Sequence, residues 1–124
     1  MSDKKLILVI DDDPDIIESV EAILSGEGFR VVTAMSGQKG IEAYREEKPD
    51  LVLCDMMMEH IDEGSKVADT IRAEDTELPV FLVSSIGDAT ARNISIGDLG
   101  FNGVFQKPIK PEELIQTIKQ ALSL

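Results

Sequence analysis

The chain has 124 residues, 43% of them hydrophobic, and a formal net charge of −12. This size predicts one domain with its own core. The acidic balance disfavours binding to nucleic acid phosphates or to anionic membrane surfaces, since both need a basic face. Apolar runs are too short for a transmembrane helix, and no signal-peptide pattern opens the chain. The single cysteine, Cys54, excludes an intrachain disulfide, so we expect a cytoplasmic protein.

Strands and helices alternate along the sequence. Short apolar or β-branched runs predict strands at Leu6–Ile10, Phe29–Ala34, Leu51–Cys54, Pro79–Val83 and Phe101–Gln106. Apolar residues at helical spacing predict helices at Pro14–Ser25, from the cap Ser36 to about Glu47, at Ser65–Glu74, Asp88–Asp98 and Pro111–Leu122. Five βα units predict an α/β fold, an open parallel sheet with helices on both faces.

Several residues predict how the helices begin, end and pack. Asp13 is the natural N-cap of the first helix, Pro14 its first residue, and Gly26 or Gly28 its stop. Gly40 lies inside the second helix at a cost of about 1 kcal/mol relative to alanine, which a close approach to the sheet would explain. The inward face of the third helix is predicted to carry Val67, Ala68 and Ile71, and that of the last helix Leu114, Ile115, Ile118, Ala121 and Leu122.

Polar side chains follow four of the predicted strands. They are Asp11, Asp12 and Asp13 after the first strand, Asp55 after the third, Ser84 after the fourth and Lys107 after the fifth. Parallel strands end at one edge of a sheet, and ligands bind there where strand order reverses. If the first and third strands are neighbours, Asp11, Asp12 and Asp55 converge and suit a hard cation such as Mg²⁺. A lysine and a hydroxyl beside them predict phosphoryl transfer.

Each of these residues also has a structural explanation. Asp13 alone caps a helix while Asp11 and Asp12 are solvated, and Asp55 caps a helix or a loop. Ser84 is then a loop hydroxyl and Lys107 a surface charge. Cys54 is expected to be an inert core residue, and His60 has no second histidine for a metal cluster or a catalytic triad. A phosphoryl-transfer site is favoured over these separate explanations because four strands each end on a polar residue of a type that such a site needs.

The whole chain resembles the receiver domains of bacterial two-component response regulators. In that family the first strand ends in an acidic pair, the third in the phospho-accepting aspartate, the fourth in Thr or Ser, and the fifth in Lys-Pro. The matching residues are Asp11 and Asp12, Asp55 in DLVLCDMMM, Ser84 in PVFLVSS, and Lys107-Pro108 in VFQKPIKPEEL. The resemblance implies one receiver domain over residues 1–124, with a flavodoxin-like doubly wound (βα)5 fold and strand order 2-1-3-4-5.

The resemblance also implies a role for each site residue. Asp55 would accept a phosphoryl group from a phosphohistidine on a sensor histidine kinase or a histidine phosphotransfer protein. Asp12 and Asp55 would ligate Mg²⁺ (or Mn²⁺) directly, Asp11 would act largely through water, and the backbone carbonyl of Met57 would be a further ligand.

On the neighbouring strands, Ser84 and Lys107 would bind the phosphoryl oxygens, and the Lys107–Pro108 peptide bond is commonly cis in the family. The chain would then be a signalling switch and not an enzyme in its own right, although it would promote its own phosphotransfer and dephosphorylation. It would signal through a protein partner or a phosphorelay, without direct contact to nucleic acid or membrane.

Three departures from the family pattern concern the loop after the acceptor and the switch residue. The usual Met-Pro is replaced by Met58 followed by Glu59, and the usual Asp-Gly is spread over Asp62-Glu63-Gly64. The switch aromatic, three residues before the lysine, is Val104. Phe105 is adjacent, but a shift of one residue in a strand points a side chain to the other face. We therefore expect the phosphorylation chemistry to be retained without the usual aromatic movement.

Three other interpretations of the acidic residues can be compared with the receiver domain. An EF-hand loop starting at Asp11 is rejected, because Ile16 and Ala22 stand where glycine and glutamate are required. A haloacid-dehalogenase-type phosphatase would use Asp11 as its nucleophile, but that family wants Thr or Val where this chain has Asp15. A degenerate receiver acting as a constitutive interaction module is mildly favoured by Glu59 and Val104, and the complete set of site residues argues against it.

The chain ends at Leu124, directly after the last predicted helix, with no linker toward an output domain. We expect either a natural single-domain protein or one domain of a longer protein.

Overall fold

The structure, a computed structural model, describes residues 4–55, 63–85, 102–107 and 109–123. Five strands in this part of the chain form one sheet in the order β2-β1-β3-β4-β5, and every neighbouring pair is parallel. The α/β prediction and the implied strand order are therefore confirmed. The strands are β1 (Leu6–Ile10), β2 (Arg30–Ala34), β3 (Leu51–Asp55), β4 (Val80–Ser85) and β5 (Gly103–Lys107). The helices are α1 (Pro14–Gly26), α2 (Gly37–Glu47), α3 (Glu63–Glu74) and α4 (Pro111–Ala121).

Some predicted boundaries were wrong by one to three residues. Helix α3 already contains Glu63 and Gly64, which the sequence pattern predicts to lie in the preceding loop. The strands β4 and β5 begin and end later than predicted, because their mutual pairing runs from Phe81 opposite Gly103 to Ser85 opposite Lys107. The predicted helix Asp88–Asp98 lies outside the described residues.

The core lies in two layers, one on each face of the sheet. Alternate residues of a strand point to opposite faces, so Ile7 and Val9 of β1 pack with α1 and α4, while Leu8 and Ile10 pack with α2 and α3. All five residues of β1 and of β3 are buried, as expected for central parallel strands. Cys54 belongs to this buried set, which confirms that it is a core residue.

The inward faces of the helices largely follow the predicted apolar spacing. Val67 and Ile71 of α3 are fully buried, and so are Leu114 and Ile118 of α4. The side chain of Ala68 lies outside the described part of the structure. Ala121 was placed on the inward face and is exposed. Leu122, which is also predicted on the inward face, is the C-cap residue and packs against the core.

The N-termini of α1 and α2 have the predicted caps. The Asp13 carboxylate accepts a hydrogen bond of 2.9 Å from the backbone N–H of Asp15, and Pro14 is the first helical residue. Ser36 caps α2, since its hydroxyl oxygen accepts a hydrogen bond of 3.2 Å from the N–H of Lys39. Both caps follow directly from β strands, so they fix where the chain turns from sheet into helix.

The C-terminus of α1 is closed by Gly28. Gly28 has a φ of +89°, which favours glycine, and Gly26 is the last helical residue. The N–H of Phe29 donates to the carbonyl of Leu24, and the N–H of Gly28 donates to the carbonyl of Ser25. This is a Schellman motif, with its usual apolar contact supplied by Phe29 and Leu24 in the same core cluster. Of the two glycines, Gly28 therefore provides the stop.

Gly40 allows α2 to lie directly on β1. A Cβ atom at this position would be 2.8 Å from Cγ1 of Ile10 and closer still to its Cδ1. Real Cβ atoms do not approach neighbours so closely, so only glycine fits without movement of Ile10. The close approach suggested by the sequence is thus present, and it is made to the residue immediately before Asp11.

Asp50 joins the starts of β1 and β3. Its carboxylate accepts a hydrogen bond of 2.8 Å from the N–H of Leu6, and its own N–H donates to the carbonyl of Leu6 over 2.7 Å. The sequence alone predicts only a turn at Asp50. These two bonds hold the register in which Ile7 pairs with Leu51, and that register brings the far ends of β1 and β3 level.

One further cross-link joins α2 and α3. Arg45 binds Glu74 through Nε at 3.0 Å and Nη2 at 2.5 Å, both to Oε2. The hydrogen bond from Arg45 and its positive charge lower the pKa of the Glu74 carboxyl. Both side chains are exposed, so the pair is expected to contribute little to stability.

Among the described helices, none has the length and apolar character needed to span a bilayer.

Candidate functional site

The acidic residues that end β1 and β3 come together at one edge of the sheet. Ile10 pairs with Cys54, so the next residues, Asp11 and Asp55, are side by side. One carboxylate oxygen each of Asp11, Asp12 and Asp55 lies within 4.8 Å of the others. Asp11 is 2% exposed and Asp55 4%, whereas Asp12 is exposed to solvent. The predicted convergence of three carboxylates is therefore present.

Two of the three consecutive acids are held by backbone groups. The N–H of Asp11 donates to the carbonyl of Ala34 over 3.0 Å, which ties the end of β1 to β2. Its Oδ1 accepts a hydrogen bond of 2.9 Å from the N–H of Asp13. The side chain of Asp13 caps α1 as predicted. The acids thus divide into an inward-facing Asp11, an exposed Asp12 and a capping Asp13.

A divalent cation fits this arrangement. The carboxylates of Asp11, Asp12 and Asp55 lie close together, and a divalent cation between them would offset their mutual repulsion. The donor set is oxygen only, which suits a hard cation such as Mg²⁺ or Mn²⁺ and disfavours zinc. Among the residues that the structure describes, Asp11, Asp12 and Asp55 would hold such an ion.

The predicted phosphoryl-binding residues lie on the adjoining strands. Asp55 of β3 pairs with Val83 of β4, and Val83 pairs with Phe105 of β5. Ser84 directly follows Val83, and Lys107 lies two residues after Phe105. Their backbones therefore end at the same edge of the sheet as Asp55. The side chains of Ser84 and Lys107 lie outside the described part of the structure, as do the whole of Met57 and Pro108. The roles predicted for these four residues remain predictions.

The switch position on β5 carries no aromatic ring. Val104 is 38% exposed, whereas Phe105 is buried and its ring centroid lies 5.5 Å from that of Phe81. Phe105 therefore occupies the opposite face of the strand, as the alternation predicts. It does not replace the missing aromatic. The other two departures, around Glu59 and Asp62, lie outside the described residues.

One site-related contact was missed in the sequence analysis. The backbone of Asp13 orients Asp11, while the sequence assigned Asp13 to the helix cap alone. The signal was present in the spacing: aspartate side chains commonly accept a hydrogen bond from the N–H two residues later, and the sequence has Asp at positions 11, 13 and 15.

Comparisons with known proteins decide the family. The family model described as "Response regulator receiver domain" matches residues 7–119. The chain belongs to this family. The receiver domain is similar to the solved receiver domain of NtrX from Brucella abortus, at 33% identity and a TM-score of 0.85, covering 94% of this chain and 98% of that one. It is also similar to a response regulator receiver domain protein from Clostridium thermocellum, at 26% identity and a TM-score of 0.86, covering 96% and 94%.

Curated relatives are longer than this receiver domain. A "Probable transcriptional regulator ycf27" from Guillardia theta is 34% identical over 119 residues, which are 96% of this chain and 46% of that protein. A "DNA-binding response regulator MtrA" from Mycolicibacterium smegmatis is 33% identical over 96% of this chain and 51% of that protein. The chain spans about half the length of these two relatives. Its expected lack of contact with nucleic acid therefore remains a prediction for this chain alone.

The exposed member of the acidic cluster supplies a direct prediction. Without a metal ion, Asp12→Asn should raise the free energy of unfolding by about 1 kcal/mol, because two charges within 4.8 Å of each other in water repel by roughly that amount. With saturating Mg²⁺ the order should reverse, since the wild type gains about 2.7 kcal/mol at a hundred times its dissociation constant and the variant loses most of this gain. Urea unfolding in EDTA and in Mg²⁺ measures both values.

Asp15→Asn is the matched control for this prediction. Asp15 is exposed in the first turn of α1 and lies outside the cluster. Its replacement removes a favourable charge at a helix N-terminus and should lower stability slightly in both conditions. If Asp12→Asn behaved like Asp15→Asn with and without Mg²⁺, the acidic cluster would have no role in metal binding.

Proposed function

We propose that this receiver domain is a phosphorylation-dependent switch that accepts a phosphoryl group on Asp55 in the presence of Mg²⁺. The observation that carries the proposal is the convergence of Asp11, Asp12 and Asp55 at the edge of the sheet, with two of the three carboxylates buried. A fold needs no such cluster, because mutual repulsion and desolvation both oppose it. The cluster is useful when it meets a metal ion and a phosphoryl group.

In the proposed reaction Asp55 is the nucleophile. One of its carboxylate oxygens forms a bond to phosphorus while the bond between phosphorus and the imidazole nitrogen of a donor phosphohistidine breaks. The bonding electrons remain on the imidazole, which then takes up a proton. The buried position of Asp55 at the end of β3 limits the access of water to the nucleophile.

The residues around Asp55 would neutralise and orient the transferred group. Bound Mg²⁺ would supply positive charge that offsets the negative charge of the phosphoryl oxygens. Asp12 and Asp55 would ligate the ion directly, Asp11 would act largely through water, and the backbone carbonyl of Met57 would be a further ligand. Lys107 pairs with a phosphoryl oxygen and the hydroxyl of Ser84 donates a hydrogen bond to another.

The signal would be a change in the loops that follow β3 and β4. Phosphorylation adds a charge of about −1.5 to −2 and three acceptor oxygens, which reorder nearby segments through new hydrogen bonds. Val104 offers no ring whose rotation could report this change. The response would therefore pass through the backbone around Ser84 and Lys107 to a protein partner, without the aromatic movement usual in the family.

The partners of the proposed switch follow from its chemistry. The donor would be a sensor histidine kinase or a histidine phosphotransfer protein in the cytoplasm, and the output would be a protein contact or a phosphorelay. The net charge of −12 supports an output that does not involve binding of nucleic acid by this chain itself. A second domain in a longer protein remains compatible with this proposal.

Exposure to a small acyl phosphate tests the proposal. Acetyl phosphate with Mg²⁺ should add one phosphoryl group to the wild-type chain, measured by intact mass spectrometry, and EDTA should prevent the addition. The adduct should be labile at alkaline pH, as acyl phosphates are. No adduct under any metal condition would contradict the proposal and favour a constitutive interaction module.

A further inference from the structure

The turn between β1 and α1 is built from two successive side chain–backbone hydrogen bonds. Oδ1 of Asp11 accepts from the N–H of Asp13, and Oδ1 of Asp13 accepts from the N–H of Asp15, each over 2.9 Å. The two bonds share residue 13, which contributes its backbone to one and its side chain to the other. Asp12 takes no part in either bond and is exposed.

The two hydrogen bonds are connected through the backbone of residue 13. With its side chain tied to Asp15, residue 13 is held in an extended conformation at φ −97° and ψ 109°. This conformation sets the direction of its N–H and therefore the orientation in which Asp11 is bound. The orientation of Asp11 matters for the acidic cluster, because a carboxylate oxygen of Asp11 lies within 4.8 Å of one each on Asp12 and Asp55.

We infer that Asp13 is a positioning residue for the metal site, acting through its helix-cap bond to hold the Asp11 carboxylate toward Asp12 and Asp55. The inference rests on the proposed function, since it assigns a role within that site. Asp13 would increase the affinity for Mg²⁺ by preorganisation, because a carboxylate that is already held in place loses less conformational freedom when the ion binds. The negative charge of Asp13 is not needed for this role, but its ability to accept a hydrogen bond is needed.

Three replacements of Asp13 separate the cap from the charge. Asparagine and serine both cap helices well and carry no charge, whereas alanine neither caps nor carries a charge. The dissociation constant for Mg²⁺, measured by isothermal titration calorimetry, should be about fivefold higher for Asp13→Ala than for Asp13→Asn or Asp13→Ser. Any effect of charge is common to the three variants, so this ratio isolates the cap.

Ser36→Ala is the control for loss of a cap as such. Ser36 caps α2 through Lys39 and is not part of the acidic cluster. In EDTA, both Ser36→Ala and Asp13→Ala should raise the unfolding equilibrium constant, by about fivefold for a typical cap. Only Asp13→Ala should weaken Mg²⁺ binding.

The outcomes distinguish failure of this inference from failure of the proposed function. Equal Mg²⁺ affinities for Asp13→Ala, Asp13→Asn and Asp13→Ser would overturn the inference and leave the proposed function intact. An equal loss of affinity in Ser36→Ala would also overturn it, because the effect would then follow from stability alone. Absence of Mg²⁺ binding by the wild type would overturn both.

Discussion

Asp55→Asn should take up no phosphoryl group from acetyl phosphate under conditions that phosphorylate the wild type. The amide is almost the same size as the carboxylate and fits the same 4%-exposed position at the end of β3, so the fold should be retained. It lacks the anionic oxygen that attacks phosphorus. The expected loss is complete, and intact mass spectrometry of both proteins measures it.

Two further variants make this result specific. Asp15→Asn, outside the cluster, should be phosphorylated like the wild type. Asp11→Asn should be phosphorylated more slowly, because the ion is held less well, but should still form an adduct. An adduct on Asp55→Asn together with none on Asp11→Asn would identify Asp11 as the nucleophile, as in a haloacid-dehalogenase-type phosphatase, and would reject the proposed reaction.

Gly40→Ala should lower the free energy of unfolding by up to about 2 kcal/mol, although alanine is the better helix former. Helix propensity alone would favour alanine by about 1 kcal/mol. The new Cβ would lie 2.8 Å from Cγ1 of Ile10, however, and overpacking of a core costs about 1 to 3 kcal/mol. Urea unfolding of the two proteins in the absence of metal gives the difference.

A second glycine and a compensating substitution test the stated cause. A Cβ at Gly26, the last residue of α1, meets nothing within 4 Å, so Gly26→Ala should leave stability unchanged or raise it. In an Ile10→Val background, which removes the atom nearest to the new Cβ, the cost of Gly40→Ala should fall by about 1 kcal/mol. A cost of Gly40→Ala that is the same in both backgrounds would show that the close approach to Ile10 is not responsible.

The parts of this fold that local sequence determines could be predicted. The caps Asp13 and Ser36 depend on side chains that bond to backbone two or three residues away, so their positions are visible in the sequence. The buried strands β1 and β3 are visible as apolar runs that end in acids. The acids of the candidate site could be predicted for the same reason, once the family resemblance supplied the strand order.

The parts set by contacts distant in sequence could not be predicted. The start of β5 depends on pairing with β4, and the N–H of Asn102 donates to the carbonyl of Val80 just before that pairing begins. Gly103 is a poor strand former, and it is accommodated because the ring of Phe81 occupies the space that a Cβ would fill. Asp50 looked like an ordinary turn residue, because its partner Leu6 lies on another strand.

The most direct test of the phospho-acceptor is to identify which residue of the chain is phosphorylated. Borohydride reduction converts an aspartyl phosphate to homoserine, and peptide sequencing by mass spectrometry then locates that residue. After treatment of the wild type with acetyl phosphate and Mg²⁺, homoserine is expected at position 55 and at no other aspartate. Homoserine at position 11, or none in a chain that has gained a phosphoryl group, would contradict the assignment of Asp55 as the acceptor.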